Sequence, residues 1–212
     1  MLRKDKIMII NLLKKFKATL NAEYVHLAEE TASFAYEFTG RYGVKGLCIY
    51  FEKSNGATDW KNNFDFPAKP YRDMEDKWYA HRGFLKVWKV IEPHLKDAIM
   101  SPDIKFIEIC GYSHGAAVAL LCHEYCKYHR PDLSVWGYGF GAPRVIWGLP
   151  SKRVRERFKG FKVIRNRGDI VTHLPPAIFG FRHAPTIITI GMGEYNGIDA
   201  HRAESYIAEL EK

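Results

Sequence analysis

The sequence predicts a three-layer α/β fold with a mostly parallel central sheet, and three features point to it. First, the apolar run Ile104, Phe106, Ile107, Ile109 and Cys110 meets Gly111-Tyr-Ser-His-Gly115 and then the small helix formers Ala116 and Ala117. That is a buried strand turning sharply into a helix packed close on the sheet. Second, strands are expected at Ser134 to Phe140, Phe161 to Arg165 and Thr186 to Ile190, with loops carrying the Gly, Pro, Asp and Asn of ordinary connections. Third, 212 residues with 47% hydrophobic content suffice for one core built from layers of sheet and helix. No linker, repeat or low-complexity tract divides residues 1–212, so a single domain is expected.

From the start of the chain, Ile9, Leu12, Leu13, Phe16 and Leu20 recur at helical spacing with lysines on the other faces, predicting an amphipathic helical segment over about residues 5–40. Lys14, Lys15 and Lys17 stand where a signal peptide would need small residues, and no run approaches the length of a membrane span. Cys48, Cys110, Cys122 and Cys126 fall in or beside strands and along one helix, which suits reduced, buried thiols. A cytoplasmic location is the expectation. Cys122 and Cys126 with His123 and His129 provide only an i, i+4 pair on one helix, so neither a metal nor another cofactor is expected.

The formal charge of +8 is uneven, with Arg3, Lys4, Lys6, Lys14, Lys15 and Lys17 early and Lys152, Arg153, Arg155, Arg157, Lys159, Lys162, Arg165 and Arg167 late. Such faces either keep a protein soluble or attract anionic surfaces, and a phospholipid interface is the partner expected in the second case. Neither run carries a nucleic-acid recognition motif, so no nucleic acid is expected.

Ser113, at the centre of the tight turn, is the candidate nucleophile, because the turn lifts its hydroxyl out of the sheet. A serine hydroxyl becomes nucleophilic when a histidine takes its proton, and that imidazole must be held by a carboxylate. On this scaffold the carboxylate and then the histidine follow the serine, at the ends of strands on one sheet edge. Asp132 precedes its strand, whereas Asp169 follows the strand ending at Arg165; Asp199 lies two residues from His201, and Glu194 is a lesser alternative. Among the histidines, His201 follows the last strand and ranks ahead of His173 and His183 on reach. His114 is excluded as the base by its position in the elbow, but its backbone N–H is an expected oxyanion donor.

Several segments together resemble the class 3 lipase family of fungal-type α/β-hydrolases, from about residue 46 to the end. They are Cys48-Ile-Tyr-Phe51-Glu-Lys-Ser54 with Asp59-Trp60, His81-Arg-Gly-Phe84, the elbow, Phe140-Gly-Ala-Pro-Arg144, Asn166-Arg-Gly-Asp169 running to Leu174-Pro-Pro176, Gly180-Phe-Arg-His183, and Asp199-Ala-His201 with Tyr206. The resemblance implies an α/β-hydrolase fold, a triad of Ser113, Asp169 and His201, and an oxyanion hole completed by Ser54 with the N–H of His114. It implies a structural place for His183. It also implies a lid or pocket over about residues 55–79, with Trp60, Phe64, Phe66, Tyr71, Trp78 and Tyr79 as lining rings; packing in the core is the other reading for any one of these aromatics. The sequence departs from the family at Glu52-Lys53, where Arg-Gly is usual, and at Tyr112 and His114, which flank the serine in place of the usual His and Leu. The activity implied is hydrolysis of a carboxylic ester, with acylglycerol or phospholipid as substrate. A short-chain esterase or thioesterase, or an anionic-membrane binder without turnover, are the alternatives.

Overall fold

The computed structural model describes residues 3–28, 32–41, 43–53, 67–71, 76–184 and 186–212, with side chains from residue 7 onward. In chain order the elements are α1 Arg3–Leu20, β1 Val25–His26, β2 Ser33–Arg41, β3 Val44–Phe51, β4 Ala68–Pro70, β5 Tyr79–His81, α2 Arg82–Met100, β6 Phe106–Tyr112, α3 His114–His129 and β7 Ser134–Phe140. They continue with β8 Ile146–Trp147, α4 Lys152–Arg157, β9 Phe161–Asn166, β10 Phe181–Arg182, β11 Thr186–Ile190 and α5 Ala203–Glu211. Seven strands form the main sheet in the order β1-β2-β3-β6-β7-β9-β11. The five from β3 onward run parallel, and β1 and β2 are antiparallel additions at one edge. Parallel strands all end at the same edge of a sheet, and that edge is where Phe51, Tyr112, Phe140, Asn166 and Ile190 terminate.

The pleat sorts side chains into two layers. From β6, Ile107 and Ile109 join the larger core with Leu47, Ile49 and the buried faces of α2 and α3. Tyr112 points the other way and joins Leu12 and Phe16 of α1, Phe140, Ile164, Ile190, and Tyr206 and Leu210 of α5. Helices thus cover both faces, giving the expected three-layer α/β-hydrolase fold with its mostly parallel sheet. A second, four-stranded sheet of β10, β8, β5 and β4 lies apart from the main one. Among the described residues no helix is long and apolar enough to cross a membrane.

Three expectations need correction. The helical segment expected over residues 5–40 stops at Leu20, and Ser33–Arg41 is a strand paired with β3 along its length, from Phe34↔Phe51 to Arg41↔Val44. Its alternating Phe34, Tyr36 and Phe38 suit a pleated surface, and pairing decides the matter. The strand before the serine runs two residues later than the apolar run suggested, because pairing with β7 carries it through Tyr112↔Phe140. Nor are the basic runs wholly free. Arg157 is held between Asp76 (3.0 Å) and Glu124 (2.7 Å), Arg153 also pairs with Asp76, and Lys15 pairs with the buried Glu108. The four cysteines are free thiols and buried, as expected.

Candidate active site

The elbow is built by close approach. A side-chain carbon at Gly115 would sit 2.2 Å from the Glu52 carbonyl oxygen and 2.3 Å from that of Phe51, and one at Gly111 would sit 2.3 Å from the Gly115 carbonyl oxygen. Only glycine lets α3 start this near to β3 and β6. Between them Ser113 adopts φ 56° and ψ −122°, the one positive φ outside glycine among the described residues. The strained turn is held by the Ser113 N–H, which donates to the Phe140 carbonyl at 2.8 Å, and by the first turn of α3 closing on the Ser113 carbonyl.

Asp169 and His201 reach Ser113 from the ends of the next strands along the same edge. Asp169 follows β9 through a turn closed by its own N–H to the Asn166 carbonyl, and it is fully buried. His201 ends the short 3-10 turn Asp199–His201 that leads into α5. Its Nε2 lies 2.7 Å from Ser113 Oγ and its Nδ1 lies 2.9 Å from Asp169 Oδ2. A carboxylate only accepts, so Nδ1 carries the proton and Nε2 is left to accept from the serine O–H.

The carboxylate is itself held. Tyr206 donates its phenol proton to Asp169 Oδ2 at 2.7 Å and accepts from the Asn166 N–H at 3.0 Å, while the Val171 N–H donates to Oδ1 at 2.9 Å. Burial, reinforced by the neighbouring Asp169, pushes the Tyr206 phenol well above its ordinary value, so it stays a donor. Gly141, with φ +60°, passes over the imidazole so closely that a side-chain carbon there would be 2.9 Å from His201 Cε1. Sequence reasoning found Gly141 and Tyr206 only as parts of motifs. The signal for Gly141 was the glycine directly after the Phe140 strand end, where a chain turning beside the base has least room.

The other candidates are engaged elsewhere. Asp132 forms a two-pronged pair with Arg130, Asp199 pairs with Arg202 at 3.1 Å, and Glu194 pairs with Lys212 at 2.8 Å. His183 donates from Nε2 to the Thr172 carbonyl at 2.5 Å, and burial pushes its pKa down to about 4. His173 is exposed, and its backbone carbonyl accepts from Arg144, which also donates to the Pro175 carbonyl at 2.9 Å. Arg144, the last residue of the Phe140-Gly-Ala-Pro-Arg144 motif, thereby ties the loop after Asp169 to the strand end beside the serine. His114 is the first residue of α3, so its N–H lies at the N-terminal end of that helix, directly after Ser113. Tyr71 and Trp78 are buried core rings 5.0 Å apart. Ser54, Trp60, Phe64 and Phe66 lie outside the described residues.

Several apolar side chains are exposed on the loop after Asp169 and around it. Ile170 follows Asp169 and is joined to the Gly197 carbonyl, next to the exposed Ile198. Along the same loop Leu174, Ile178 (88% exposed) and Phe179 project outward. The Phe179 carbonyl accepts from the Trp147 indole at 2.9 Å, which brings the partly exposed Trp147 and Leu149 (74% exposed) into the group. Burial, and then the nearby Arg165 and Arg144, lower the proton affinity of His173, with Asp169 opposing them.

Comparison with known proteins agrees with this geometry. Residues 48–179 match the family described as Lipase (class 3). The chain is 28% identical over 144 residues to a secreted mono- and diacylglycerol lipase of Fusarium solani, covering 66% of this chain and 42% of that protein. It is 30% identical over 148 residues to a lipase of Rhizomucor miehei, covering 66% of this chain and 40% of that protein. The chain therefore spans about two fifths of the length of these curated relatives. Among solved structures, Rhizomucor miehei triacylglyceride lipase superposes with a TM-score of 0.68 at 21% identity, over 90% of this chain and 82% of that one. The lipase of Rhizopus microsporus var. chinensis superposes with a TM-score of 0.62 at 21% identity, over 92% and 75%. With well over half of its length matched by the family, and the family's motifs converging on one sheet edge, the chain belongs to the class 3 lipases.

Proposed function

We propose that the protein is a serine carboxylester hydrolase acting on lipid esters, with acylglycerols as the first substrate class. The observation that carries this reading is the unbroken hydrogen-bonded chain from Ser113 Oγ through His201 to the buried Asp169, at 2.7 and 2.9 Å. In the proposed reaction His201 Nε2 takes the serine proton as Oγ attacks the ester carbonyl, and Asp169 stabilises the imidazolium and holds its tautomer. The developing oxyanion is received by the His114 N–H, with Ser54 as the family-derived second donor. His201 then protonates the departing alcohol, and water, activated by the same imidazole, releases the acid and restores Ser113. This chemistry needs no metal or organic cofactor.

The apolar residues Trp147, Leu149, Ile170, Leu174, Ile178 and Phe179 are proposed as the surface laid against an anionic lipid interface, with the cations Arg144 and Arg165 near His173, which lies on the loop with Ile170 and Leu174. The test has two parts. Hydrolysis of p-nitrophenyl esters of increasing acyl length, with Ser113→Ala as blank, is expected to be serine-dependent and to extend to emulsified mono- and diacylglycerols. Turnover confined to short soluble esters would replace the lipase reading by an esterase, and no serine-dependent turnover on any ester would overturn both. Phosphatidylglycerol vesicles are expected to sediment the wild type but not an Ile178→Asp, Phe179→Asp double variant, which should still cleave the soluble ester. Equal sedimentation of the two proteins would remove this surface from the proposal.

A further inference from the structure

We infer that Tyr112, the residue before the candidate nucleophile, is a positioning residue for the base His201; the inference rests on the triad reading above. Tyr112 ends β6 with its ring on the α1 side of the sheet, opposite the face on which α3 packs, and it is buried. Its phenol donates to the backbone carbonyl of His201. Its ring lies 5.5 Å from the imidazole at a tilt of 30°. Beneath it, Phe16 of α1 meets it edge-on at 5.2 Å, and Tyr206, the tyrosine that holds Asp169, stands 6.1 Å away.

The consequence is a link within one dipeptide. The main chain that carries Ser113 and the main chain that carries His201 are fastened together by the side chain immediately before the serine, so any shift of the elbow is passed to the base. His201 has no regular strand or long helix of its own to fix it, since it ends a three-residue 3-10 turn. A tyrosine reaches that carbonyl across the sheet edge, and burial raises its phenol above its ordinary value, keeping it a donor at any pH where the enzyme would be assayed. General-base transfer needs the imidazole within hydrogen-bond reach of the serine, so loosening this tether lowers the rate of the proton-transfer step and leaves substrate binding alone.

The test is Tyr112→Phe, which keeps the ring and removes the tether. The expected result is a fall in kcat of roughly 10-fold with KM within about twofold of wild type. The downfield proton resonance of His201 Nδ1–H, visible in the wild type and absent from His201→Ala, is expected to broaden or move in Tyr112→Phe. An unchanged kcat with an unchanged resonance, whatever the melting temperature does, overturns the inference. If Tyr112→Phe does not fold, replacement of Tyr112 by p-aminophenylalanine supplies a weaker donor on the same ring: reduced kcat at constant KM supports the tether, and wild-type kcat overturns it. Should the wild type cleave no ester in a Ser113-dependent way, the hydrolase reading fails, while the resonance still decides whether Tyr112 holds His201.

Discussion

Gly141→Ala separates backbone strain from a clash at the base. The added carbon would lie 2.9 Å from His201 Cε1, 3.1 Å from Nδ1 and 3.2 Å from the Tyr206 oxygen. Carbon contacts settle near 3.5 Å, so the imidazole must retreat by about 0.6 Å. The 2.7 Å bond to Ser113 Oγ, stretched by that amount, reaches about 3.3 Å, past the useful range for a hydroxyl donor. The rate is then expected to fall on the order of 10- to 100-fold. Holding alanine at φ +60° costs about 1 kcal/mol in addition, worth about 3 °C of melting temperature in a chain of this size. Gly148→Ala is the control, since Gly148 has φ +70° with nothing within 4 Å of the added carbon. Both variants should melt lower, and only Gly141→Ala should lose kcat on p-nitrophenyl butyrate. A Gly141→Ala protein with kcat within twofold of wild type would refute the close approach over His201.

Other outcomes follow from the packing and the buried charges. Gly115→Ala forces α3 away from carbonyl oxygens at 2.2 and 2.3 Å and should lower stability by about 3 kcal/mol or more, seen as a depressed melting temperature and poor soluble yield. Lys15→Met leaves Glu108, only 3% exposed, without its cation and should cost about 3 kcal/mol in a urea titration. Adding Glu108→Gln should recover much of that loss, and a double variant no more stable than the single would argue against the pair. His183, held near pKa 4 chiefly by burial, refuses a proton that the unfolded chain takes near pH 6.5. Its contribution is therefore full above pH 6.5 and falls by about 3 kcal/mol as the pH drops toward 4. The fully buried His123, pushed down to about 3 by burial, acts in the same direction. Melting temperatures between pH 7 and 4 should fall less steeply in His183→Gln than in wild type; parallel curves would remove His183 from the acid response.

The parts of the site readable from sequence were those whose chemistry demands a residue type at a place. Gly111 and Gly115 announced the elbow because a carbon on either collides with backbone, and strand position alone favoured Asp169 over Asp132, which the structure ties to Arg130 instead. The final strand fell where the apolar pattern put it, at Thr186–Ile190. What escaped was whatever depends on contacts between distant segments. The segment Ser33–Arg41 lay inside an expected helical stretch because its strand character comes from pairing with β3. Arg153 and Arg157 read as surface charge because Asp76, which receives both, is remote in sequence. Tyr112 stood out only as a departure from the family's elbow, since its hydroxyl acts on a carbonyl 89 residues away.

The aromatic floor under the triad also has an order in time. Phe16 packs on Tyr112, Phe140 and Tyr206, and Lys17 on the same helix pairs with Glu211 at 2.8 Å. A helix made before the sheet strands thus waits for α5 before its apolar stripe is covered. His201 and Tyr206 belong to that late portion, so a nascent chain with β6, β7 and β9 already paired still lacks both the base and the phenol that holds its carboxylate. Chains released early, or clipped after β11, would carry a formed elbow without His201 and Tyr206.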